Sequence, residues 1–307
     1  MELFHSFDQF SSYSRPSAVA IGNFDGIHLG HQKILKFLEE KAREHDLLSL
    51  VLTFSPHPEK VLGENRICTI QTLDQRIREI NKFNIQAVLV TPFDKKFSNL
   101  SGHDFIQKII SDTLKAEVVI VGENFRFGKD REGDTSLLRR LSSLFRFQVH
   151  SIPSVILNGE TVSSSLVRQF LQEGRVEKAR ALLGRNYEIE GTVIKGHSRG
   201  KSLGFPTANI KTENEIIPQG VFITQTRIGP QTFPSMTNVG SQPTFKQKGM
   251  HIESFIIDFE KELYGEHIAL GFLEKIRDEI KFRTPADLIH QLEKDLAAAK
   301  DFFKGKL

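Results

Sequence analysis

The sequence contains one cysteine, no tryptophan and no long run of apolar residues. The single cysteine, Cys68, excludes an internal disulfide and is typical of a reducing compartment. No apolar run approaches the roughly 20 residues that a membrane span requires. The amino terminus carries acidic residues and lacks the apolar centre of a signal peptide. We therefore expect a cytoplasmic protein that does not bind a membrane.

The chain also has little excess charge of either sign, since its formal net charge is +3 over 307 residues. This balance does not favour a nucleic-acid binder, and it is compatible with an anionic small substrate. There is no internal repeat or low-complexity tract, and the length fits two domains. We expect small-molecule substrates, no nucleic-acid partner, and a monomer or weak homo-oligomer.

Strand-length apolar segments alternate with helical spacing in the first half of the chain. The pattern predicts strands at 18–21, 47–54, 86–91 and 117–122, and helices at 72–83 and 101–114. Such alternation implies a doubly wound parallel sheet, whose ligands bind beyond the carboxyl ends of the strands. Asn158-Gly159 then predicts a β-hairpin within 155–162, followed by helices at 165–172 and 176–183.

The second half has the pattern of a small β domain. Short strands are predicted at 187–195, 220–228, 231–239, 250–259 and 267–276. This density of short strands predicts a closed or partly closed β-barrel. Thr284-Pro285-Ala286-Asp287 is typical of a helix start, and that helix would run to about residue 303. A change of pattern near Gly184 predicts two domains, 1–184 and 185–307.

The segment 22–31, Gly-Asn-Phe-Asp-Gly-Ile-His-Leu-Gly-His, is the most informative motif. It lies between a predicted strand and a helix with Ile34, Leu35, Leu38 and Ala42 on one face. Glycines permit close approach of a ligand to the backbone, and the helix start is a ready anion site. His28 and His31 are three residues apart, so both rings can face one triphosphate, as nucleotidyl transfer requires. The alternative is a tight turn with two surface histidines.

Other polar segments also follow predicted strands. His57 lies in a proline-rich loop at 54–58, where a structural role is an alternative. Asn124 and Arg126 lie among aromatic residues at 121–128, which suits a flat ring system. Serines at 163–165 open a helix, where they could serve only as caps, and Arg168 one turn later could hold a phosphate.

Together these motifs resemble the FMN adenylyltransferase module of prokaryotic bifunctional riboflavin kinase/FAD synthetases, a Rossmann-like relative of the H-x-G-H nucleotidyltransferases. The resemblance implies that His28 and His31 act on the ATP phosphates as catalytic residues. The ATP-binding residues that it implies in this half are Gly22, Phe24, Gly30, Ser163, Ser164 and Arg168. The implied flavin-binding residues are Pro56, His57, Asn124, Phe125 and Arg126. Ser55 and Ser165 stand where the family often has an acid and a threonine.

The second half offers oxygen ligands and a carboxylate. A glycine-rich loop at 191–201 precedes Pro206-Thr207-Ala208-Asn209, in which a hydroxyl and an amide suit Mg²⁺, unless Asn209 only stabilises a turn. Glu253 shares its strand face with Phe255 and two further apolar residues. A desolvated carboxylate there would serve as a general base, although a hydrogen-bonded structural acid is equally compatible with the pattern.

These segments resemble the riboflavin kinase module of the same enzymes. The resemblance rests on the segments 200–210, 237–245, 252–259 and 263–265. It implies that Thr207 and Asn209 bind Mg²⁺, that Glu253 is catalytic, and that Gly200 and Lys201 bind phosphate. Lys201 replaces the arginine usual in bacterial members, so a bidentate contact there would be lost.

The resemblance implies two reactions. Riboflavin would be phosphorylated by ATP to FMN, and FMN would be adenylylated by ATP to FAD. Two alternatives stay open at this point. One module could be inactive and serve as a flavin sensor or RNA-binding regulator, or the protein could store flavin without catalysis.

Overall fold

A six-stranded parallel sheet forms the centre of the first of two compact units, Met1–Ser164 and Ser165–Leu307. The computed structural model describes residues 1–13, 15–63, 67–196, 204–241 and 250–304. The sheet strands are β1 (Glu2–Phe4), β2 (Ser17–Ile21), β3 (Leu48–Phe54), β4 (Ala87–Thr91), β5 (Ala116–Gly122) and β6 (Gln148–Ile152). Their order is β1-β4-β3-β2-β5-β6, so the order reverses between β2 and β5. The predicted doubly wound sheet is confirmed, and its ligand crevice is expected where β2 and β5 end.

Helices cover both faces of this sheet. They are α1 (Phe7–Ser11), α2 (Leu29–Glu44), α3 (Pro58–Leu62), α4 (Leu73–Ile80), α5 (Lys95–Ser98), α6 (Gly102–Asp104, continued by a π-helical segment Phe105–Thr113) and α7 (Thr135–Phe145). Alternate residues of β2 pack on opposite faces, with Val19 in one apolar cluster and Ala20 in the other. The predicted face of α2 is buried, as Leu35 and Leu38 illustrate. Strands β1 and β6 and helices α1, α3, α5 and α7 are additions to the predicted elements.

The predicted hairpin is present as β7 (Ile156–Leu157) and β8 (Glu160–Thr161). Asn158 and Gly159 form its turn with φ angles of 51° and 82°. Both residues therefore adopt the left-handed conformation that a two-residue hairpin turn requires.

The second unit is a closed antiparallel barrel. Two helices precede the barrel strands in the sequence, and one helix follows them. Its elements are α8 (Ser164–Gln172, whose first residue belongs to the first unit), α9 (Val176–Leu183), β9 (Tyr187–Ile194), β10 (Ala208–Thr212), β11 (Gly220–Ile228), β12 (Gln231–Ser241), β13 (Met250–Ile256), β14 (His267–Arg277) and α10 (Pro285–Lys304). The barrel order is β10-β13-β12-β11-β14-β9. The predicted barrel and its final helix are confirmed, and β10 adds a sixth strand to the five predicted.

Helix α10 packs on the outside of the barrel. Its Ala299 and Phe303 join a buried cluster with Ile223 and Leu273, and Phe255 of β13 packs against that cluster. The neighbouring position on β13, Ser254, is fully buried and accepts a hydrogen bond from Thr237 at 3.0 Å. Alternation along β13 therefore puts Ser254 on the inner face and Phe255 on the outer face. In the described part of the chain, no helix is long and apolar enough to cross a membrane.

Candidate active sites in the two units

The glycine-rich turn ends with His28 as the N-cap of α2. The backbone N–H of His31 donates to Nδ1 of His28 at 3.3 Å, and the two imidazole rings stack at 3.7 Å with an interplanar angle of 17°. Because Nδ1 of His28 accepts this bond, the neutral ring carries its proton on Nε2. Nε2 is then a hydrogen-bond donor beside the positive end of a 16-residue helix. The two predicted catalytic histidines of this unit are thus adjacent.

Packing explains why Gly22, Phe24 and Gly30, the other predicted residues of the turn, are of these residue types. A Cβ on Gly30 would lie 3.1 Å from the His28 ring, so glycine provides the space that the ring occupies. A Cβ on Gly22 would lie 3.3 Å from the ring of Phe24, which is 1% exposed. Phe24 has a φ of 51°, an uncommon conformation for an aromatic residue. Phe24 and Gly30 therefore shape the turn, whereas Gly22 lines the cavity described below.

Asp25 ties this turn to the rest of the unit, a function that the motif did not reveal. Its buried carboxylate accepts the backbone N–H of Ile70 at 3.0 and 3.1 Å and that of Gln71 at 3.3 Å. The hydroxyl of Ser164 donates to the Asp25 carbonyl at 2.8 Å. Ser164, predicted to bind phosphate, therefore also anchors the turn.

A buried arginine joins the ends of β2 and β3. One terminal nitrogen of Arg76 donates to the carbonyls of Asn23 and Phe54 and to the Thr53 hydroxyl, at 2.9 to 3.1 Å. Burial lowers the pKa of the Arg76 guanidinium, and the Asp25 carboxylate opposes that shift. The Asp25 carboxylate thus stabilises the buried Arg76 cation at the edge of the sheet where the parallel strands end.

A cavity of about 780 Å³ opens at this edge. Its aromatic lining comes from four segments: Phe54 at the end of β3, Phe93 and Phe97 after β4, Phe105 at the start of the π-helical segment, and Phe125 and Phe127 after β5. Phe54 and Phe93 meet edge to face with centroids 5.7 Å apart. A cavity of this size with aromatic walls suits a flat ring system. Phe93 and Phe97 were missed by the sequence analysis because no motif surrounds them.

Three of the five predicted flavin-binding residues, Asn124, Phe125 and Arg126, line this cavity. Arg126 is held by an ion pair to Asp134 at 3.0 Å. Pro56 and His57 are not among the residues that line the cavity. His57 is instead buried: its Nδ1 accepts the Glu59 N–H at 3.2 Å, and its Nε2 lies 3.2 Å from the Asn23 side-chain amide.

The remaining predicted phosphate-binding residues come later in the sequence. Ser163 is half-buried just before α8, and Arg168 lies on that helix within the second unit. Gly200 and Lys201 lie outside the described residues.

In the second unit, strand register places three polar residues side by side. Glu253 on β13 is paired with Asn209 on β10 and with Asn238 on β12. Directly opposed residues in antiparallel strands share a face, so the carboxylate is flanked by an amide on each side. The Asn209 side chain lies against Gly196, where any Cβ would collide with it. Asn238 was missed because its position opposite Glu253 is set by register.

Glu253 belongs to the outer face of β13, and the expectation of a buried carboxylate is wrong. Its side chain is 31% exposed, whereas Phe255, two residues later on the same face, packs against the cluster that contains Ala299 and Phe303 of α10. Nε2 of His251 lies 2.8 Å from Oε1 of Glu253. This hydrogen bond raises the pKa of His251; burial opposes the shift, and the charges of Glu253 and Glu279 reinforce it.

Thr207 and Asn209 are both half-buried, Thr207 immediately before β10 and Asn209 on it. Within the described ranges, no group of three or more histidine, cysteine, aspartate or glutamate side chains could hold a metal ion. The predicted oxygen ligands are thus the Thr207 hydroxyl and the Asn209 amide, and Asn209 lies opposite Glu253.

Two family models match the chain in the same order as its two units. The model described as FAD synthetase matches residues 10–166, and the model described as riboflavin kinase matches residues 183–303. A bifunctional riboflavin kinase/FMN adenylyltransferase from Haemophilus influenzae is 34% identical over 308 residues, covering 99% of this chain and 100% of that protein. One of the same description from Listeria monocytogenes is 36% identical over 290 residues, covering 93% and 92%.

One solved structure is similar along nearly the whole chain. It is described as a macrolide-efflux protein from Streptococcus pneumoniae, with 28% identity, a TM-score of 0.89, and coverage of 97% of this chain and 98% of that chain. That description differs from those of the curated relatives. The two family models and the relatives agree with each other and account for both units. The chain belongs to the family of bifunctional riboflavin kinase/FMN adenylyltransferases.

Proposed function

We propose that the first unit adenylylates FMN to FAD at the His28–His31 turn and that the barrel phosphorylates riboflavin at Glu253. The observation that carries this proposal is that each unit holds its own set of reactive groups. The stacked histidines lie at the start of α2, and Gly22 of the same turn lines the aromatic cavity. The carboxylate lies in the barrel, between two asparagines. Neither flavin storage nor a single active module would require both sets.

In the adenylylation reaction, the FMN phosphate attacks the α-phosphorus of ATP and pyrophosphate leaves. A phosphate dianion is already nucleophilic, so the protein needs to align two anions and stabilise negative charge. We assign charge stabilisation to Nε2 of His28, to His31 and to the N–H groups that begin α2. We assign the flavin ring to the cavity between Phe54, Phe97 and Phe125.

In the kinase reaction, the 5′-hydroxyl of riboflavin attacks the γ-phosphorus of ATP and ADP leaves. An alcohol is a poor nucleophile, so a general base at the hydroxyl accelerates this step. Glu253 is a partly exposed carboxylate and can receive that proton. The outer face of β13 is therefore where riboflavin would bind, next to Asn209 and Asn238.

The donor atoms in the barrel fit Mg²⁺. Thr207 and Asn209 offer a hydroxyl and an amide oxygen, hard ligands that Mg²⁺ accepts together with water and nucleotide phosphates. When bound, Mg²⁺ would neutralise charge on the transferred phosphoryl group. These two residues alone make an incomplete octahedral shell, which favours a metal that arrives with ATP.

The limits of the functional domains, 1–184 and 185–307, stay a prediction. The division into compact units falls between Ser164 and Ser165, and the family models leave residues 167–182 unmatched. A cytoplasmic location and a monomeric or weakly oligomeric state also stay predictions from the sequence.

The proposal is tested by assaying both reactions in two variants of the full chain. His31→Ala should abolish FAD formation from FMN and leave riboflavin phosphorylation nearly unchanged. Glu253→Gln should lower kinase turnover by about 10²–10⁴-fold, the usual contribution of a general base, and leave adenylylation intact. Exposed residues of the same types, His45→Ala and Glu260→Gln, are matched controls.

Equal loss of both activities in a folded variant would contradict the two-site proposal. A Glu253→Gln protein with lower thermal stability and normal turnover would show that this glutamate is a structural acid. Normal adenylylation in His31→Ala would remove that histidine from the reaction.

A further inference from the structure

The kinase carboxylate has a hydrogen-bond partner on its own strand. His251 lies two residues before Glu253, so both side chains emerge on the outer face of β13. Nε2 of His251 contacts Oε1 of Glu253 at 2.8 Å, within the range of a strong charge-assisted bond. The carboxylate oxygen that the histidine contacts is Oε1.

A second carboxylate lies on the other side of this histidine. Register pairs His251 with Gly240 on β12, and any Cβ on Gly240 would collide with the Glu279 carboxylate. Glu279 therefore lies over the position opposite His251, and its charge acts on the imidazole. The histidine therefore contacts one carboxylate on its own strand and has a second carboxylate over the position opposite it on β12.

The exposure of this pair argues against a role confined to stability. The side chains of His251 and Glu253 are 25% and 31% exposed, and pairs accessible to solvent contribute little to the free energy of folding. A hydrogen bond of this kind still restricts the rotamers of the carboxylate. Reactions that depend on a positioned base are sensitive to displacements of about 1 Å.

We propose that His251 is a positioning residue for the kinase reaction, which holds Oε1 of Glu253 and thereby directs Oε2 towards the substrate hydroxyl. This inference rests on the proposed role of Glu253 as the base. In the reaction, the O–H bond of the riboflavin hydroxyl breaks and its proton passes to Oε2. The oxygen bonds to the γ-phosphorus, and the bond from that phosphorus to the departing ADP oxygen breaks. His251 neither gains nor loses a proton.

The test is a double-mutant cycle in the full chain. His251→Phe retains an aromatic ring and removes the donor, whereas His251→Gln retains an N–H at a similar distance. His251→Phe should lower kinase kcat by about 10- to 100-fold with an unchanged riboflavin KM. His251→Gln should restore most of the turnover. In a Glu253→Gln background, His251→Phe should cause no further loss, because its effect passes through the carboxylate.

The temperature at which the residual kinase activity is lost reports that the barrel is folded in the same preparations, and His267→Phe on β14 is a matched control because its histidine is exposed. The inference is overturned if His251→Phe turns over normally, if Phe and Gln variants lose activity equally, or if the loss persists undiminished in the Glu253→Gln background. Normal turnover of Glu253→Gln alone would overturn the proposed base itself, which distinguishes the two failures.

Discussion

Removing the Asp25 carboxylate should destabilise the first unit selectively. The side chain is 1% exposed and accepts the backbone N–H groups of Ile70 and Gln71, both of which are buried. In Asp25→Ala both donors lose this acceptor. Each buried donor left unsatisfied costs about 1–3 kcal/mol, so the two together predict a loss of about 2–6 kcal/mol. Asp25→Asn retains one acceptor oxygen and should lose less.

The assay must distinguish the two units, because a chain with two cooperative units has no single unfolding free energy. We would heat the protein in steps and measure residual adenylylation and kinase activity separately. For a unit of this size, each kcal/mol lowers the midpoint by roughly 2–4 °C. The adenylylation midpoint should fall in the order wild type, Asp25→Asn, Asp25→Ala, while the kinase midpoint stays constant.

The exposed residue Asp112 provides the control, because Asp112→Ala removes a carboxylate from the same unit without unsatisfied donors. Equal shifts of both midpoints, or no shift in Asp25→Ala, would refute the argument that this carboxylate fastens the turn to the Ile70 segment.

Three further outcomes are expected. Arg168→Lys should raise the KM for ATP in adenylylation if the guanidinium contacts phosphate as a bidentate donor, and unchanged kinetics would assign it to the helix surface. A truncated protein starting at Ser165 should retain kinase activity to higher temperature than one starting at Gly184. The reason is that α9 packs on β14 and would be lost from the shorter chain. Identical midpoints of thermal inactivation would contradict this. Burial, reinforced by neighbouring basic side chains, lowers the pKa of His150, so native stability should fall as pH drops below the unfolded value of about 6.5. His150→Phe should lose that pH dependence, as thermal melting at about pH 7.5 and about pH 5.5 would show.

Elements defined by local periodicity were predicted well. The strand, glycine-rich turn and helix around residues 17–44 were recognised from apolar spacing and from the glycines, because each contact in them lies within a few residues. The Asn158-Gly159 turn was recognised for the same reason, since its conformation depends on two residues. The bounds of β11, Gly220–Ile228, agree with the prediction at both ends.

Features that depend on contacts between residues far apart in the sequence were missed or, as for the burial of Glu253, predicted wrongly. Strand β10 has five residues and no strong apolar pattern, and it pairs with β9 and β13 across intervening segments. The aromatic cavity depends on which loops meet at one sheet edge, and its Phe93 and Phe97 carry no local signal. Alternation along β13 separated Glu253 from Ile252 correctly, but it could not show which face the barrel would enclose.

The sequence by itself therefore determined the order of the elements, and it singled out the His28–His31 turn and Glu253 as candidate site residues. These depend on residue types and on periods of two and 3.6 residues. Only the tertiary structure decided that Glu253 is partly exposed, that Asn209 and Asn238 flank it, and that His251 bonds to it. The physical reason is that strand register and burial are set by barrel closure and by α10, whose contacts join residues far apart in the chain.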